Sequence, residues 1–520
     1  MGTQQPHIPL QGIQLSSDFL SPDKPFAIVD IGSNSVRFVA YGGSARNPLP
    51  VYNEKNFCRL GESVAKTGEI EGSYWASAML TFHRFNLVAK RLGVSQMIAV
   101  ATAAVRQAEN REAFVKAAEK ALGTKISVLS GQEEGKYAAL GVMMGFHKVD
   151  GLVADLGGGS LELARVVKGE IKEITTLPIG VLALEANYSA SKKQVISHVK
   201  QSLASVDWLK KNKGMPLYLV GGTWRALAEV EMNRRNSELR VLHHYKMPIK
   251  ATADFLDEFV HKKKNELRKL RHISINRRMY LSNAAIIMRS VLAQSGCNMS
   301  LVSEMGLREG IIYDTLNTAH RQQDQLLSAC REIAGRVSKD PEYGEELIAW
   351  TEGLFDGEEM SPRKSESYER LRQATCIVGD VAWSQHLDFR GLIAAETVLH
   401  SPFTGISHAG RCFMAHALLF KHNGTSNFSG SHAPRGFIPM RDKARKLSSM
   451  LGLSIRLADT LSGAMSGFLM RTRLYQHKGK LVLEVMSRHE KLLGEQVEKR
   501  LIKLADVMKL KPEIKMVDKI

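Results

Sequence analysis

Two short stretches of this 520-residue chain share one pattern. Asp30-Ile-Gly-Ser-Asn-Ser-Val-Arg-Phe38 and Asp155-Leu-Gly-Gly-Gly-Ser-Leu-Glu-Leu163 match in register at Asp, an aliphatic residue, Gly, Ser, an aliphatic residue and a closing apolar residue, 125 positions apart. Each sits between apolar runs rich in β formers, so each reads as a strand ending in Asp, a Gly/Ser turn and a second strand running back. A duplicated hairpin implies two related halves that face each other. From Lys24 to about Asp314 the chain alternates β-rich runs with longer amphipathic stretches, which marks α/β architecture. Strands are expected to begin near Pro25, Val36, Met97 (MIAVATAAV), Lys125, Gly151, Leu161 and Leu217. Helices are expected over Tyr74 to Leu92, Asn110 to Leu122, Gly131 to Gly145, Lys192 to Lys211 and Glu304 to Thr318. Beyond Arg321 strand signals nearly vanish until Leu481, so residues 321–520 are expected to form a separate, mainly helical domain.

Composition narrows the function class. With 44% hydrophobic and 24% charged residues the chain is globular, too long for one core, and neither collagen-like nor disordered throughout. Cys58, Cys297, Cys330, Cys376 and Cys412 are odd in number and contain no C-x-x-C step, so they read as buried thiols of a reducing compartment. No apolar run is long enough to span a bilayer and residues 1–24 lack a leader pattern, from which a cytoplasmic location is expected. The formal net charge is +18 and unevenly spread. Lys262 to Arg278 holds eight basic residues and one acid, and residues 434–520 hold nineteen basic against nine acidic. Such runs are either a solvated face or the footprint of a polyanionic partner.

The two hairpin turns supply the chemistry that a polyanion requires. Glycine lets backbone N–H groups turn inward around a phosphate, which makes Gly32, Ser33, Asn34 and Ser35 one candidate anion site and Gly157, Gly158, Gly159 and Ser160 a second. The copies differ where one carries Arg37 and the other Glu162. Across its hairpin Glu162 returns to Asp155, a pair of carboxylates suited to a hard cation such as Mg²⁺, with Asp30 as a further oxygen, while Arg37 offers a fixed positive fork. Gly221-Gly222-Thr223 before a helix-like run forms a third phosphate candidate, with Thr223 as N-cap. Ser130 and Glu133 form a capping box, which leaves Glu134 free on a helical stripe with Tyr137, Ala138 and Gly141, facing the packed or cleft side. A carboxylate held there has a raised pKa and can take a proton from water near neutral pH. Arg106 is expected in a loop after an apolar strand, at the strand ends where ligands bind in such sheets.

These segments resemble the exopolyphosphatase and guanosine-pentaphosphatase family of the actin-like superfamily. The resemblance rests on VDIGSNSVRF from Val29, RLGE from Arg59, ATAAVRQAEN from Ala101, SGQEEG from Ser130, VADLGGGSLEL from Val153, VGGTWRALA from Val220 and SEMGLREGIIYD from Ser303, in family order. It implies two ribonuclease-H-like lobes around a cleft, residues 25–148 and 149–320, after an N-terminal extension 1–24 and before a helical domain 321–520. It also implies Mg²⁺- or Mn²⁺-dependent release of terminal phosphate from inorganic polyphosphate, and a possible substrate in guanosine pentaphosphate, the alarmone related to guanosine tetraphosphate. On this resemblance Glu134 is the general base, Asp155 and Glu162 are metal acids, the three turns bind phosphate and Arg106 is a substrate arginine. The Arg277-Arg278-Met279-Tyr280 stretch lacks the family's usual aspartate and receives no catalytic role. The helical domain resembles His-Asp phosphohydrolases, but it has Gly379-Asp380 where the His-Asp pair would stand. It is expected to extend the binding channel or make a homodimer, with no specific nucleic acid and no membrane as partner. Two rivals stay open: a small-molecule kinase of the same superfamily, and a non-catalytic module that binds polyphosphate or alarmone.

Overall fold

The computed structural model describes residues 25–188, 191–262, 264–425, 434, 436–438 and 440–520. The N-terminal extension 1–24 and Lys263 of the basic run lie outside them. The chain divides into two compact units, the first up to Gln323 apart from Ser237–Val241, the second made of that segment and Asp324–Ile520.

The first unit holds two mixed sheets. β1 (Phe26–Ile31), β2 (Val36–Ser44), β3 (Asn47–Asn56), β4 (Gln96–Ala101) and β5 (Ile126–Val128) line up as β3-β2-β1-β4-β5. β6 (Gly151–Leu156), β7 (Leu161–Val167), β8 (Glu170–Leu177), β9 (Pro216–Val220), β10 (Lys246–Pro248) and β11 (Met299–Val302) line up as β10-β11-β9-β6-β7-β8. In each sheet three antiparallel strands come first and parallel strands follow, so the second repeats the first with one added edge strand. The chain is therefore α/β with two duplicated actin-like lobes, as the paired hairpins imply. β1 and β6 are central strands, and every residue in them is buried except Asp30 and Asp155 at their carboxyl ends. A single polar residue at the end of an otherwise apolar central strand points to a ligand, because nothing in the core calls for it.

Several element bounds differ from the sequence reading. The Met97 strand ends at Ala101 and Ala103–Gln107 forms a short helix, so Arg106 sits on a helix and not in a loop. The Lys192 helix stops at Ala204 and a separate 3₁₀ turn covers Leu209–Asn212, and the Glu304 helix starts only at Leu307. In the second unit the helices enclose one large apolar core. A three-stranded sheet accompanies them: β12 (Thr472–His477), β13 (Lys480–Met486) and β14 (Lys511–Val517). The sequence signals only the middle strand, whose Leu481, Val482, Leu483 and Val485 are buried, whereas its neighbours are polar edges.

One backbone contact fixes the site-bearing helices. Helix Gly131–Gly145 and helix Leu307–Thr315 touch through glycines: a Cβ on Gly310 would land on the Tyr137 carbonyl, and one on Gly141 would land on the Gly306 carbonyl. Gly310→Ala is accordingly expected to cost ~1–3 kcal/mol in denaturant unfolding of the first unit, since backbone on both sides must move. Gly335→Ala meets open space on helix Gln325–Val337 and should stabilise the second unit by ~0.4–1 kcal/mol.

Candidate active site

The two hairpins close in the same way. Gly32 N–H donates to Ser35 O at 3.1 Å and Gly157 N–H donates to Ser160 O at 3.0 Å. Register places Asp30 opposite Arg37 and Asp155 opposite Glu162, as the repeat requires. The turns face one another, for a Cβ on Gly158 would stand 3.4 Å from Ser33 Cβ. Their carbonyls are taken by the chain itself: Arg59 and Gly61 N–H donate to Asn34 and Ser33, and Leu182 and Gly180 N–H donate to Gly158 and Gly159. Among the described residues, the N–H groups of Ser33, Asn34, Gly158 and Gly159 donate to no backbone carbonyl. This polarity, acceptors occupied and donors open, suits an anion.

A cavity of about 230 Å³ lies between the turns. The third turn, Gly221-Gly222-Thr223, also lines it, but its geometry differs from the sequence expectation. Helix Gly222–Arg234 is capped by Gly221 at φ 108°, with Thr223 already in the first turn and no side-chain cap bond. The chain is pressed here against the end of β6: a Cβ on Gly221 would meet the Leu156 carbonyl and stand 3.1 Å from Asp155 Oδ1, so only glycine fits the cap. Five cations line the cavity, Arg37, Lys55, Arg225, Arg277 and Arg308, against Asp30, Asp155 and Glu304. Burial first, then neighbouring cations, push the Arg37 pKa down to about 10 and that of Lys55 down to about 8. Nothing local in the sequence marks Lys55, Arg225 or Arg308, and the stretch at Arg277 lacks the family's usual aspartate. Arg277 nonetheless reaches the cavity, its Nη2 standing 3.0 Å from where a Gly222 Cβ would be.

Glu134, Glu162, Arg106, Gly159 and Ser160 are not among the residues lining that cavity. The capping box forms as read, Ser130 Oγ accepting from Glu133 N–H and Glu133 Oε2 accepting from Ser130 N–H. Glu134 is left as the largely buried carboxylate at the helix start, and Arg106 donates to it and to Leu129 O. Arg106 thus has Glu134 as its partner in this structure, whereas the resemblance assigns it to the substrate. Burial pushes the Glu134 carboxyl up to about 7; Arg106 pulls the other way and Asp155 and Asp30 add to the rise, so desolvation outweighs the ion pair. Asp155 is pushed up to about 6, again by burial first. Glu162 is raised well above the carboxylate range by burial, then by Glu134 and Asp155, although a Ser160 hydrogen bond opposes this.

Glu162 Oε1 is buried and, among the described residues, has no hydrogen-bond partner. A carboxylate oxygen orphaned beside two other acids is the donor a hard cation would satisfy. Among the described residues no three acids, histidines or cysteines gather at metal-holding distance. Mg²⁺ does not need three, since it keeps several waters and binds through one or two carboxylates and phosphate oxygens. Asp155 and Glu162 fit that demand. Asp30 has acquired another partner, Arg308, whose Nη1 donates to its Oδ2 at 3.0 Å.

Arg308 is held by a buried network. Glu309 accepts from Tyr41 OH at 2.7 Å and from Gly306 N–H at 2.9 Å. Burial lowers the Arg308 pKa, but Glu309, Tyr41 and Asp30 outweigh it and keep the guanidinium charged. In the second unit Asp380 does not meet a metal-ligating histidine: the buried Lys421 ammonium lies 3.8 Å from Asp380 and 3.3 Å from Asp459. His416 bonds Ser448 and burial lowers its pKa to about 4.

The model of the Ppx/GppA phosphatase family matches residues 40–319, and that of the exopolyphosphatase C-terminal domain matches residues 326–514. The chain is 26% identical over 439 residues to retrograde regulation protein 2 of Saccharomyces cerevisiae, covering 76% of this chain and 72% of that protein. It is 32% identical over 158 residues to exopolyphosphatase 1 of Mycobacterium leprae, covering 29% of this chain and 46% of the relative. Among solved structures, an Aquifex aeolicus Ppx/GppA protein aligns with TM-score 0.50 at 23% identity over 58% of this chain and 99% of its own, and a Cytophaga hutchinsonii exopolyphosphatase with 0.52 at 20% over 56% and 99%. These two show the shared fold. Among the described residues no helix is long and apolar enough to cross a membrane. Paired hairpins, their closing turns and both family models converge, and the chain belongs to the Ppx/GppA phosphatase family.

Proposed function

We propose that the protein hydrolyses the terminal phosphoanhydride bond of inorganic polyphosphate. The observation that carries this reading is a cation-lined cavity between two facing turns with open N–H donors, with a buried carboxyl of pKa about 7 nearby. Glu134 holds the attacking water and accepts its proton, and Arg106 orients the carboxylate while Glu134 is ionised. The turn N–H groups and Arg37 hold the terminal phosphoryl group in line. Arg308, pinned by Asp30 and Glu309, presents its remaining N–H donors to the charge that develops on the phosphate oxygens. Asp155 and Glu162 would hold Mg²⁺, which when bound neutralises phosphate charge and favours departure of the shortened chain. A loose, metaphosphate-like transition state demands mainly alignment and positive charge, and this set supplies both.

The relative named exopolyphosphatase 1 supports polyphosphate as substrate. Guanosine pentaphosphate presents a similar terminal anhydride, so parallel phosphate-release assays on polyphosphate and on the alarmone test the substrate choice. Because polyanion binding displaces counterions, Kd for long polyphosphate is expected to rise roughly 10- to 100-fold between about 50 and 200 mM salt. Orthophosphate should show a much shallower dependence. Equal dependence for both ligands would count against an extended contact.

A further inference from the structure

The cavity cations fall into two groups. Arg308 is ion-paired with Asp30, and Arg106 behind the wall is ion-paired with Glu134. Arg37, Lys55, Arg225 and Arg277 also border the cavity, and among the described residues none of the four stands within 4.0 Å of a carboxylate. Arg37 donates to Asn53 Oδ1, Arg225 to the carbonyls of Gly221 and Glu304, and Lys55 Nζ stands 4.7 Å from the centre of the Phe57 ring. They come from β2, β3, helix Gly222–Arg234 and helix Ile275–Arg278, so four separate elements converge to hold like charges together. Each has its pKa lowered, by burial first and then by neighbouring cations: Arg308 foremost for Arg37 and Arg225, Arg277 for Lys55 and Arg37 for Arg277. Crowded, partly desolvated and unpaired cations oppose folding, and an anion is the group that relieves them.

Sheet register gives the direction in which that anion extends. Asp30 on β1 is opposite Arg37 on β2, and Arg37 is opposite Lys55 on β3. Two strand spacings separate Asp30 from Lys55, roughly 10 Å between backbones. That is more than one P–O–P link can span. A substrate whose terminal phosphate lies at the carboxylates would have to carry further phosphates to occupy the space beside Lys55.

We propose that Lys55, backed by Arg225 and Arg277, is a specificity-determining residue that grips phosphoryl groups beyond the second, so that the site selects oligophosphate chains over pyrophosphate. This selectivity rests on the phosphohydrolase reading, and the grip itself does not. Lysine at the outer position contributes a point charge on a flexible stem, which suits the variable path of a chain better than it suits one fixed ligand.

The test compares full-length wild type, Lys55→Gln and Lys55→Arg on long polyphosphate and on pyrophosphate. Losing one charge-assisted contact is expected to raise KM for long polyphosphate roughly tenfold in Lys55→Gln with a smaller change in kcat, and to shrink the ratio of kcat/KM for long polyphosphate over pyrophosphate by the same factor. Lys55→Arg should keep that ratio within about threefold of wild type, because the charge is kept. A ratio unchanged in Lys55→Gln, or a proportional loss on both substrates, would overturn the assignment. Calorimetric titration of wild type and Lys55→Gln with long polyphosphate separates the two ideas. If wild type turns over neither substrate the hydrolase reading fails, yet roughly tenfold weaker binding by Lys55→Gln still supports the grip, and equal binding refutes it.

Discussion

Glu134→Gln is expected to slow phosphate release from long polyphosphate by ~10²- to 10⁴-fold while chain binding is largely kept, because the amide is isosteric but cannot accept a proton. The prediction depends on where the fold places this carboxylate. Glu133 is consumed by the capping box, and the next residue is buried against Arg106 at the start of the same helix. Burial raises its pKa to about 7, so in wild type the acid limb of kcat/KM should rise with pH through a midpoint near 7, where the base becomes ionised. That limb should be absent from the residual activity of Glu134→Gln. Release from Glu134→Gln at the wild-type rate would remove Glu134 from the chemistry. Arg106→Lys provides a graded companion: a flexible ammonium relaxes the orientation of the base and should cost less than Glu134→Gln, roughly 10-fold.

Glu162→Gln is expected to have two opposite effects, phosphate release reduced by at least ~10²-fold and a higher melting temperature at pH 8. The stability gain follows from the direction of the pKa shifts. Glu134, Asp155 and Glu162 all have folded-state values above their unfolded ones, so the folded protein binds more protons between the two. Their favourable contribution is therefore present below the unfolded values, near pH 4, and is lost as pH rises through the folded values, about 6 for Asp155, about 7 for Glu134 and likewise raised for Glu162. As these acids ionise they repel one another, and Glu162 carries an oxygen with no partner among the described residues. A neutral amide at 162 relieves this, and in a unit of this size each kcal/mol relieved raises Tm by ~1–2 °C. Mg²⁺ should stabilise wild type by about 2.7 kcal/mol at 100 times its Kd, whereas Glu162→Gln should show little response. If the melting temperature of both proteins moves equally with Mg²⁺, Glu162 is not a metal ligand.

What the sequence discloses and what it withholds have physical causes. The duplicated hairpin is legible because turn, strand end and register all lie within nine residues, and the structure repeats even the Gly32 to Ser35 and Gly157 to Ser160 closures. Glu134 is legible for a similar reason, since a capping box is local chemistry between Ser130 and Glu133. Lys55 is different. It matters because β3 pairs with β2 and sets it opposite Arg37, and β3 itself is a polar edge strand with prolines at 48 and 50 that hides its strand character. Arg308 depends on Tyr41, a residue 268 positions from the Glu309 that it bonds. Thr223 looked like an N-cap on local preference, and the close approach of Gly221 to the end of β6 overrode that preference. Local motifs survive in sequence, whereas convergent charges require the sheet order.

The most direct measurement is orthophosphate release from long-chain polyphosphate by the purified full-length protein with Mg²⁺, in the absence of nucleotide and of any phosphoryl acceptor other than water. Steady release of single phosphates, with the chain shortened from its end, is the predicted result. Tight, salt-sensitive binding of the chain with no release, or release only after an acceptor or nucleotide is added, would contradict it.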